Sequence, residues 1–355
     1  MMGDVVTTGS MAELLVTGGA GFIGSHTALS LLENGHNLLL FDDFSNSSPL
    51  VLDRMRQLAG TEAASRLELM EGDIRNSAQL DKAFSSRKSK IDAVIHFAGL
   101  KSVGESLLKP LSYWDVNVNG SRCLLEAMQR HGCNILVFSS TATIYGYPET
   151  VPIPETAPTQ PINPYGHTKA AVERMLADIQ ASAPDTWRIA CLRYFNPVGA
   201  HPSGLIGENP LGEPNNLFPY VCQVAAGVRP QLQVFGDDWA TPDGTGVRDF
   251  IHVQDLAEGH CAALNCLFNE SPQRLTLNLG SGRGLSVLDV VHGMESASGR
   301  SIKYQIKTRR DGDAGISIAD PSLAASRLGW CTQRGLAEIC RDGWAWQRQN
   351  PNGYE

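Results

Sequence analysis

Apolar and polar positions fall into two alternating kinds of block along the first half of the chain. Residues 13–17, 37–41, 67–71, 93–97, 135–138 and 189–193 are short runs rich in Leu, Ile, Val and Phe. Longer stretches with helical spacing lie between most of them, and the stretch 22–33 ends at Gly35, a helix-stop signal. Short apolar runs alternating with helical ones predict a parallel sheet covered on both faces. After about Asn196 the order is lost, and 197–216 is dense in Gly, Pro and Asn. The expected organisation is a flexible tail at 1–12, an α/β domain at 13–196 and a smaller mixed α/β domain at 197–355. Some segments of the last return to the first domain. There is no internal repeat or low-complexity tract.

The first strand runs into Gly18-Gly19-Ala20-Gly21-Phe22-Ile23-Gly24, which opens a helix. Glycines allow a tight turn and a close backbone approach to a pyrophosphate, and the helix N-terminus adds the positive end of its dipole. Alone the motif also fits a turn with no ligand. Its place at the first strand–helix junction, with Asp42 and Asp43 ending the second strand, narrows the reading to a Rossmann doubly wound parallel sheet that binds a dinucleotide. A carboxylate there accepts from ribose hydroxyls and repels a 2′-phosphate, so NAD is expected rather than NADP.

Pro164-Tyr165-Gly166-His167-Thr168-Lys169 begins a second notable helix, with Pro164 suited to its first turn. Tyr165 and Lys169 lie four apart, on one helix face. A neighbouring ammonium and the positive nicotinamide are expected to lower the tyrosine pKa from about 10, making Tyr165 a base toward a sugar hydroxyl. The spacing alone is common; the Rossmann start and the strand ending Phe138-Ser139-Ser140-Thr141 give it meaning.

Composition adds exclusions. The 355 residues are 42% apolar and 19% charged, ordinary for a two-domain globular chain, and the net charge is −8. That balance argues against nucleic-acid or membrane-surface partners, so an anionic ligand must be held by a few placed basic groups. Cys123, Cys133, Cys191, Cys222, Cys261, Cys266, Cys331 and Cys340 form no C-x-x-C pair and read as reduced thiols of a cytoplasmic protein. The nine histidines lack metal-binding spacing, so no metal is expected. The start lacks the features of a signal peptide, and no apolar run approaches the ~20 residues of a membrane helix.

The segments TGGAGFIGSH, GDIRN, HFAGLKSVGES, NVNG, FSSTATIYG, YGHTK and RYFNPVGAHPSG together resemble the extended short-chain dehydrogenases/reductases. PNNL, DGTGVRDFIHV and RRDGD narrow the resemblance to the UDP-glucose/UDP-galactose 4-epimerases, over nearly everything after Met11. The resemblance implies Tyr165 as base and Lys169 on the nicotinamide ribose. Thr141 stands where a serine usually holds the sugar hydroxyl, and adds a methyl. Cofactor contacts then fall on Gly18, Gly21, Phe22, Ile23 and Gly24 in the glycine loop, and on Asp42, Asp43 and Asn46 after the second strand. Asp73 and Ile74 fit beside the adenine, though Asp73 also reads as a strand-end turn residue. Phe97, Ala98, Gly99, Lys101, Asn117 and Tyr194 complete the cofactor side.

On the substrate side the resemblance implies Phe195, Asn196, Asn215, Asn216 and Leu217, with Arg248 and Arg310 as cationic forks for a nucleotide diphosphate and Asp313 at the uridine ribose. Arg309, Arg310 and Asp313 also fit a solvent-facing salt bridge. The implied reaction is NAD-dependent 4-epimerisation of UDP-galactose to UDP-glucose through a transient 4-keto sugar, in galactose metabolism, by a homodimer. Ser317 matches a pocket position where a bulky tyrosine excludes N-acetyl groups, so UDP-N-acetylglucosamine and UDP-N-acetylgalactosamine are further expected substrates. A 4,6-dehydratase would need an Asp-Glu pair where Ala142 and Thr143 stand, and a non-catalytic NAD sensor would tend to lose Tyr165 or Lys169.

Overall fold

The computed structural model describes residues 11–214, 216–310 and 313–354. The tail 1–10 and the proposed contact Asn215 lie outside the described residues. In chain order the first half runs β1 (Glu13–Thr17), α1 (Phe22–Glu33), β2 (Asn37–Asp42), α2 (Leu50–Ala64), β3 (Leu67–Glu71), α3 (Ser77–Ser85) and β4 (Ala93–His96). Short helices α4 (Val103–Leu108) and α5 (Pro110–Tyr113) lead through a π-helical turn, Trp114–Asn119, into α6 (Gly120–Arg130). Then come β5 (Ile135–Thr141), α7 (Pro164–Ser182) and β6 (Arg188–Tyr194).

The second half holds β7 (Asn196–Val198), α8 (Leu217–Ala225), β8 (Leu232–Phe235), β9 (Val247–His252), α9 (Val253–Asn269), β10 (Arg274–Leu279) and β11 (Gly284–Ser286). It ends with α10 (Val287–Ser298), β12 (Tyr304–Lys307), β13 (Ile316–Ser317), α11 (Ser322–Leu328) and α12 (Leu336–Gln349).

Seven strands form one sheet in the order β10-β6-β5-β4-β1-β2-β3, and every pairing in it is parallel. The order reverses direction at β1, as a doubly wound sheet requires. Residues of α1, α2 and α9 cover one face in one apolar core, and residues of α3, α6 and α7 cover the other in a second core. The expected α/β architecture is observed. The last strand of the sheet, β10, and a covering helix, α9, come from beyond residue 197, so the second half of the chain threads back through the first. The remaining strands are short and mixed: β9 pairs with β7 and β13 in parallel and with β11 antiparallel, while β12 pairs with β8. A third core beneath them joins α8, α10 and α12.

Strand-to-helix turns at the carboxyl edge bring backbones very close. A Cβ on Gly18 would lie 2.6 Å from the Ala98 nitrogen, and Gly18 itself has φ of 68°. A Cβ on Gly24 would lie 2.2 Å from the Gly18 carbonyl oxygen. Glycine at 24 is what lets α1 pack onto the loop that precedes it. Gly24→Ala is expected to destabilise the protein by about 1–3 kcal/mol, the scale of overpacking. Denaturant unfolding reads this as a lower midpoint, and an unchanged midpoint would mean the turn yields freely.

Candidate active site

The carboxyl ends of the parallel strands open onto one cavity of about 1210 Å³, whose far wall belongs to the second half of the chain. Gly18, Gly21, Phe22, Ile23 and Gly24 line it at β1 and α1. The first-turn N–H groups of α1 have no intrahelical partners, and neither a capping side chain nor an acidic residue competes for them. Asp42 and Asp43 at the end of β2, and Asn46 beyond, line the same region. Asp42 is buried; its Oδ2 accepts from Ala20 N at 2.9 Å, and its Oδ1 accepts from Phe44 N at 3.0 Å and Ser47 Oγ at 2.7 Å. A carboxylate has about four acceptor positions, so one remains on Oδ2. Burial raises the Asp42 pKa, which those donors oppose. A free dipolar helix end beside an anchored carboxylate fits the pyrophosphate and ribose of a dinucleotide.

Ile74, Phe97, Ala98, Gly99, Lys101 and Tyr194 also line the cavity. Lys101 Nζ donates to Glu208 Oε1 at 2.9 Å, and Tyr194 Oη lies 2.8 Å from His260 Nε2. Two expected cofactor residues have partners within the chain. Asp73 lies between the wall residues Gly72 and Ile74; both its oxygens accept from Arg75 Nε at 3.0 Å, and that guanidinium lowers its pKa. Asn117 is off the wall and buried. Its amide nitrogen donates to Leu100 O and Thr168 Oγ1, both at 3.0 Å, and its oxygen accepts from Leu100 N at 2.7 Å. It ties the loop after β4 to α7 and keeps one acceptor position on its oxygen.

Thr141, Tyr165 and Lys169 line this same cavity. Asn163 caps α7 by accepting from Gly166 N, Pro164 starts it, and the helix points Tyr165 and Lys169 at the end of β5. Lys169 Nζ donates to the Ser139 carbonyl at 2.8 Å and stands 4.9 Å from the Phe138 ring centre. Burial lowers the Lys169 pKa to about 8, against the pull of Glu173. The expectation of a lowered Tyr165 pKa is not met by the chain's own groups. Burial pushes it up to about 12, with only a hydrogen bond to Thr141 opposing, because the ammonium is directed at Ser139 instead. Thr141 Oγ1 also donates to Thr143 Oγ1 at 3.0 Å.

On the far wall are Phe195, Asn196, Asn216, Leu217, Arg248, Arg310 and Asp313. Burial lowers the Arg248 pKa, which the Asp313 charge opposes. Arg310 Nε donates to Asp313 Oδ2 at 3.0 Å, so the salt bridge considered for this pair does form, at the cavity rim. Ser317 is half-buried on β13, paired with the wall residue Arg248 of β9. Sequence reasoning missed Phe235 and Trp239. Both line the cavity, with the Arg310 guanidinium 4.6 Å from the Phe235 ring centre and that of Arg309 3.9 Å from the Trp239 ring. Their signal was two aromatics flanking the turn Gly236-Asp237-Asp238, which reads by itself as an ordinary strand end. Among the described residues no cluster of metal-ligating side chains occurs.

A family model described as the NAD dependent epimerase/dehydratase family matches residues 14–280. The UDP-glucose 4-epimerase of Neisseria meningitidis serogroup B is 52% identical over 346 residues, 97% of this chain and 100% of that one. A crystal structure of UDP-glucose 4-epimerase from Stenotrophomonas maltophila, with bound NAD and formylated UDP-arabinopyranose, superposes with a TM-score of 0.92 at 49% identity, covering 96% of this chain and 99% of that one. The Bifidobacterium longum enzyme in complex with NAD+ and UDP gives 0.91 at 46% identity, covering 96% and 100%. A likeness running the length of both chains goes beyond a shared sheet: the chain belongs to the NAD dependent epimerase/dehydratase family, alongside its UDP-glucose 4-epimerases.

Proposed function

We propose that this cavity interconverts UDP-galactose and UDP-glucose by NAD-dependent inversion at C4 of the sugar, through a transient 4-keto sugar. The observation that carries the reading is the meeting of Thr141, Tyr165 and Lys169 between the glycine loop on one side and Arg248, Arg310 and Asp313 on the other, inside one cavity. When bound, NAD supplies the hydride acceptor and donor for C4, and its positive ring opposes the burial that holds the Tyr165 proton. Gly18 to Gly24 and Asp42 would hold it.

Tyr165 takes the proton from the 4-hydroxyl and later returns it. The Thr141 hydroxyl orients that oxygen against Tyr165. Arg248 and Arg310 hold the diphosphate, and Arg310 over the Phe235 ring offers a flat surface to a base. The diphosphate stays clamped while the sugar turns, so both of its faces reach the same hydride position. A first domain of residues 13–196 carrying the cofactor and a second of 197–355 carrying the nucleotide sugar suits this division, with β10 and α9 fastened into the first. Eight unpaired thiols support a reducing compartment, the cytoplasm. No helix among the described residues is long and apolar enough to cross a membrane.

Leu107, Leu108 and Leu111 are 62%, 82% and 81% exposed on α4 and α5, with Trp114 beside them. A contiguous apolar patch of this kind suits a second copy of the chain, and a homodimer is the inferred assembly. Small residues at Ala314, Gly315 and Ser317, beside the wall residue Arg248, support acceptance of N-acetylated sugars.

Tyr165→Phe is expected to keep its fold and NAD content and to slow epimerisation at least ~10²-fold, the scale of a general acid–base group; near-normal turnover would remove the assigned role. Wild type is expected to sediment as a dimer and Leu108→Asp/Leu111→Asp as a monomer, whereas a monomeric wild type would end the dimer reading. UDP-N-acetylgalactosamine should be turned over by wild type and not by Ser317→Tyr, with UDP-galactose conversion kept by both. Inactivity of wild type on the acetylated sugar would sink the Ser317 argument.

A further inference from the structure

Two successive residues at the end of β5 each engage one position on a single stripe of α7, whose remaining position is Tyr165. The Ser139 carbonyl accepts from Lys169 Nζ at 2.8 Å, and Ser140 Oγ donates to Glu173 Oε1 at 2.5 Å. Positions 165, 169 and 173 are one turn apart, so they share one helix face. Two of its three members belong to the reaction as read above. The third does not line the cavity, and its surroundings are more elaborate than packing requires.

Glu173 is buried, and a buried guanidinium grips it: Arg193 Nε donates to Oε1 at 3.0 Å and Nη2 to Oε2 at 2.6 Å. Arg193 Nη1 then donates to Tyr145 Oη at 3.0 Å and to the Glu155 carbonyl at 3.2 Å. Tyr145 Oη donates to Asn278 Oδ1 at 2.6 Å, and Asn278 Nδ2 donates to the Ile153 carbonyl at 2.8 Å. Ile153 bridges to the segment just after β13 through the Ile318 carbonyl at 2.8 Å and Asp320 N at 3.0 Å. One connected polar network therefore joins the catalytic helix to the strand end beside Arg248.

Replacing a buried ion pair by apolar side chains is often neutral or stabilising, so stability is a weak reason for this one. The charges around it supply a better reason. Around the Lys169 ammonium the Ser139 carbonyl accepts at 2.8 Å and the Phe138 ring centre stands 4.9 Å away, and the ionisable groups whose charges couple to it are Glu173 from α7 and His96 from β4. His96 is held neutral by burial, its pKa lowered to about 3. Arg193 faces Glu173 from the opposite side. Glu173 is thus the one carboxylate in this set, between two buried cations.

We propose that Glu173 is a positioning residue of the reaction: fixed by Ser140 and Arg193, it is the counter-charge of the Lys169 ammonium and locks the helix stripe that presents Tyr165 and Lys169. It acts through Lys169 and touches neither cofactor nor sugar. The inference rests on the Tyr165–Lys169 reading of the site.

The test is the pH profile of kcat and KM for UDP-galactose with the NAD-loaded full chain, comparing wild type, Glu173→Gln and Glu173→Asp. Glu173 favours the charged form of Lys169, so its loss lowers the pH at which that proton leaves. In Glu173→Gln the alkaline limb of kcat is expected about one pH unit lower, with KM changed less than about twofold and the limb returned toward wild type in Glu173→Asp. A Glu173→Gln protein that only melts earlier, with the wild-type limb, overturns the proposal. If that variant does not fold, Glu173→Gln/Arg193→Met removes both buried charges, and an unmoved limb there overturns it equally. Tyr165→Phe separates the two readings: if it retains turnover the site assignment itself fails, whereas a collapsed Tyr165→Phe rate with an unmoved Glu173→Gln limb sinks only the role of Glu173.

Discussion

A parallel sheet covered on both faces has only its edges for polar chemistry, and everything else in this molecule answers to that constraint. Its strands are apolar nearly throughout, so carboxylates, hydroxyls and cations gather where strands end. At that edge they are still largely buried, and each must find a partner or change its protonation. Asp42 is held by three donors. Lys169 takes the Ser139 carbonyl. Burial pushes Tyr165 up to about 12, with only a neighbouring hydroxyl of the chain opposing, so it needs a positive charge beside it to serve as a base. The reactivity of the edge is therefore a balance of desolvation against a small number of fixed charges, and moving one charge shifts several groups.

The same rule orders the second half of the chain. Asp249, buried on β9, accepts from Ser281 N at 2.7 Å, Ser281 Oγ at 2.6 Å, Gly282 N at 2.9 Å and Ala319 N at 3.1 Å. One carboxylate so ties the turn after β10 and the segment after β13 to the strand that carries Arg248. A Cβ on Gly280 would lie 2.6 Å from an Asp249 oxygen, which explains the glycine in the turn after β10. Because β10 is the last strand of the large sheet, this knot fixes the far wall of the cavity relative to the near one.

What the sequence disclosed and what it hid divide along physical lines. Strand and helix positions in the first half were legible because burial on both faces leaves an apolar run that few other structures produce; the bounds of β1, α1 and β3 match the pattern at both ends. Residues whose role is backbone geometry, such as Gly18 and Gly24, were legible for the same reason. The chain's own partners of Asp73 and Asn117 were not, because a contact to Arg75 two residues on and one to Thr168 fifty-one residues on leave no periodic trace. The return of α9 and β10 to the first sheet was only half legible, since a seventh strand looks like any other short apolar run. Phe235 and Trp239 acquire meaning only through Arg310 and Arg309, some seventy residues downstream.

Net charge tells the same story from the ligand's side. A chain of net charge −8 repels anions at long range, so it does not gather a nucleotide diphosphate by its overall field. Recognition has to come from groups whose charge is little screened, and burial supplies them. Arg248 is the more buried of the two wall arginines, and Asp313 opposes the loss of its charge. Arg310 is tied to that same Asp313 at the rim. Asp313 thus bonds one guanidinium and lies close enough to the other to favour its charge. Of the two, the buried Arg248 carries the charge that solvent weakens less. Where Thr141 and Tyr165 line the cavity, the wall carries hydroxyls and the Lys169 ammonium already committed to a carbonyl. Strong anchoring at one end and weak anchoring at the other is what a reaction needs when its intermediate must turn over without leaving.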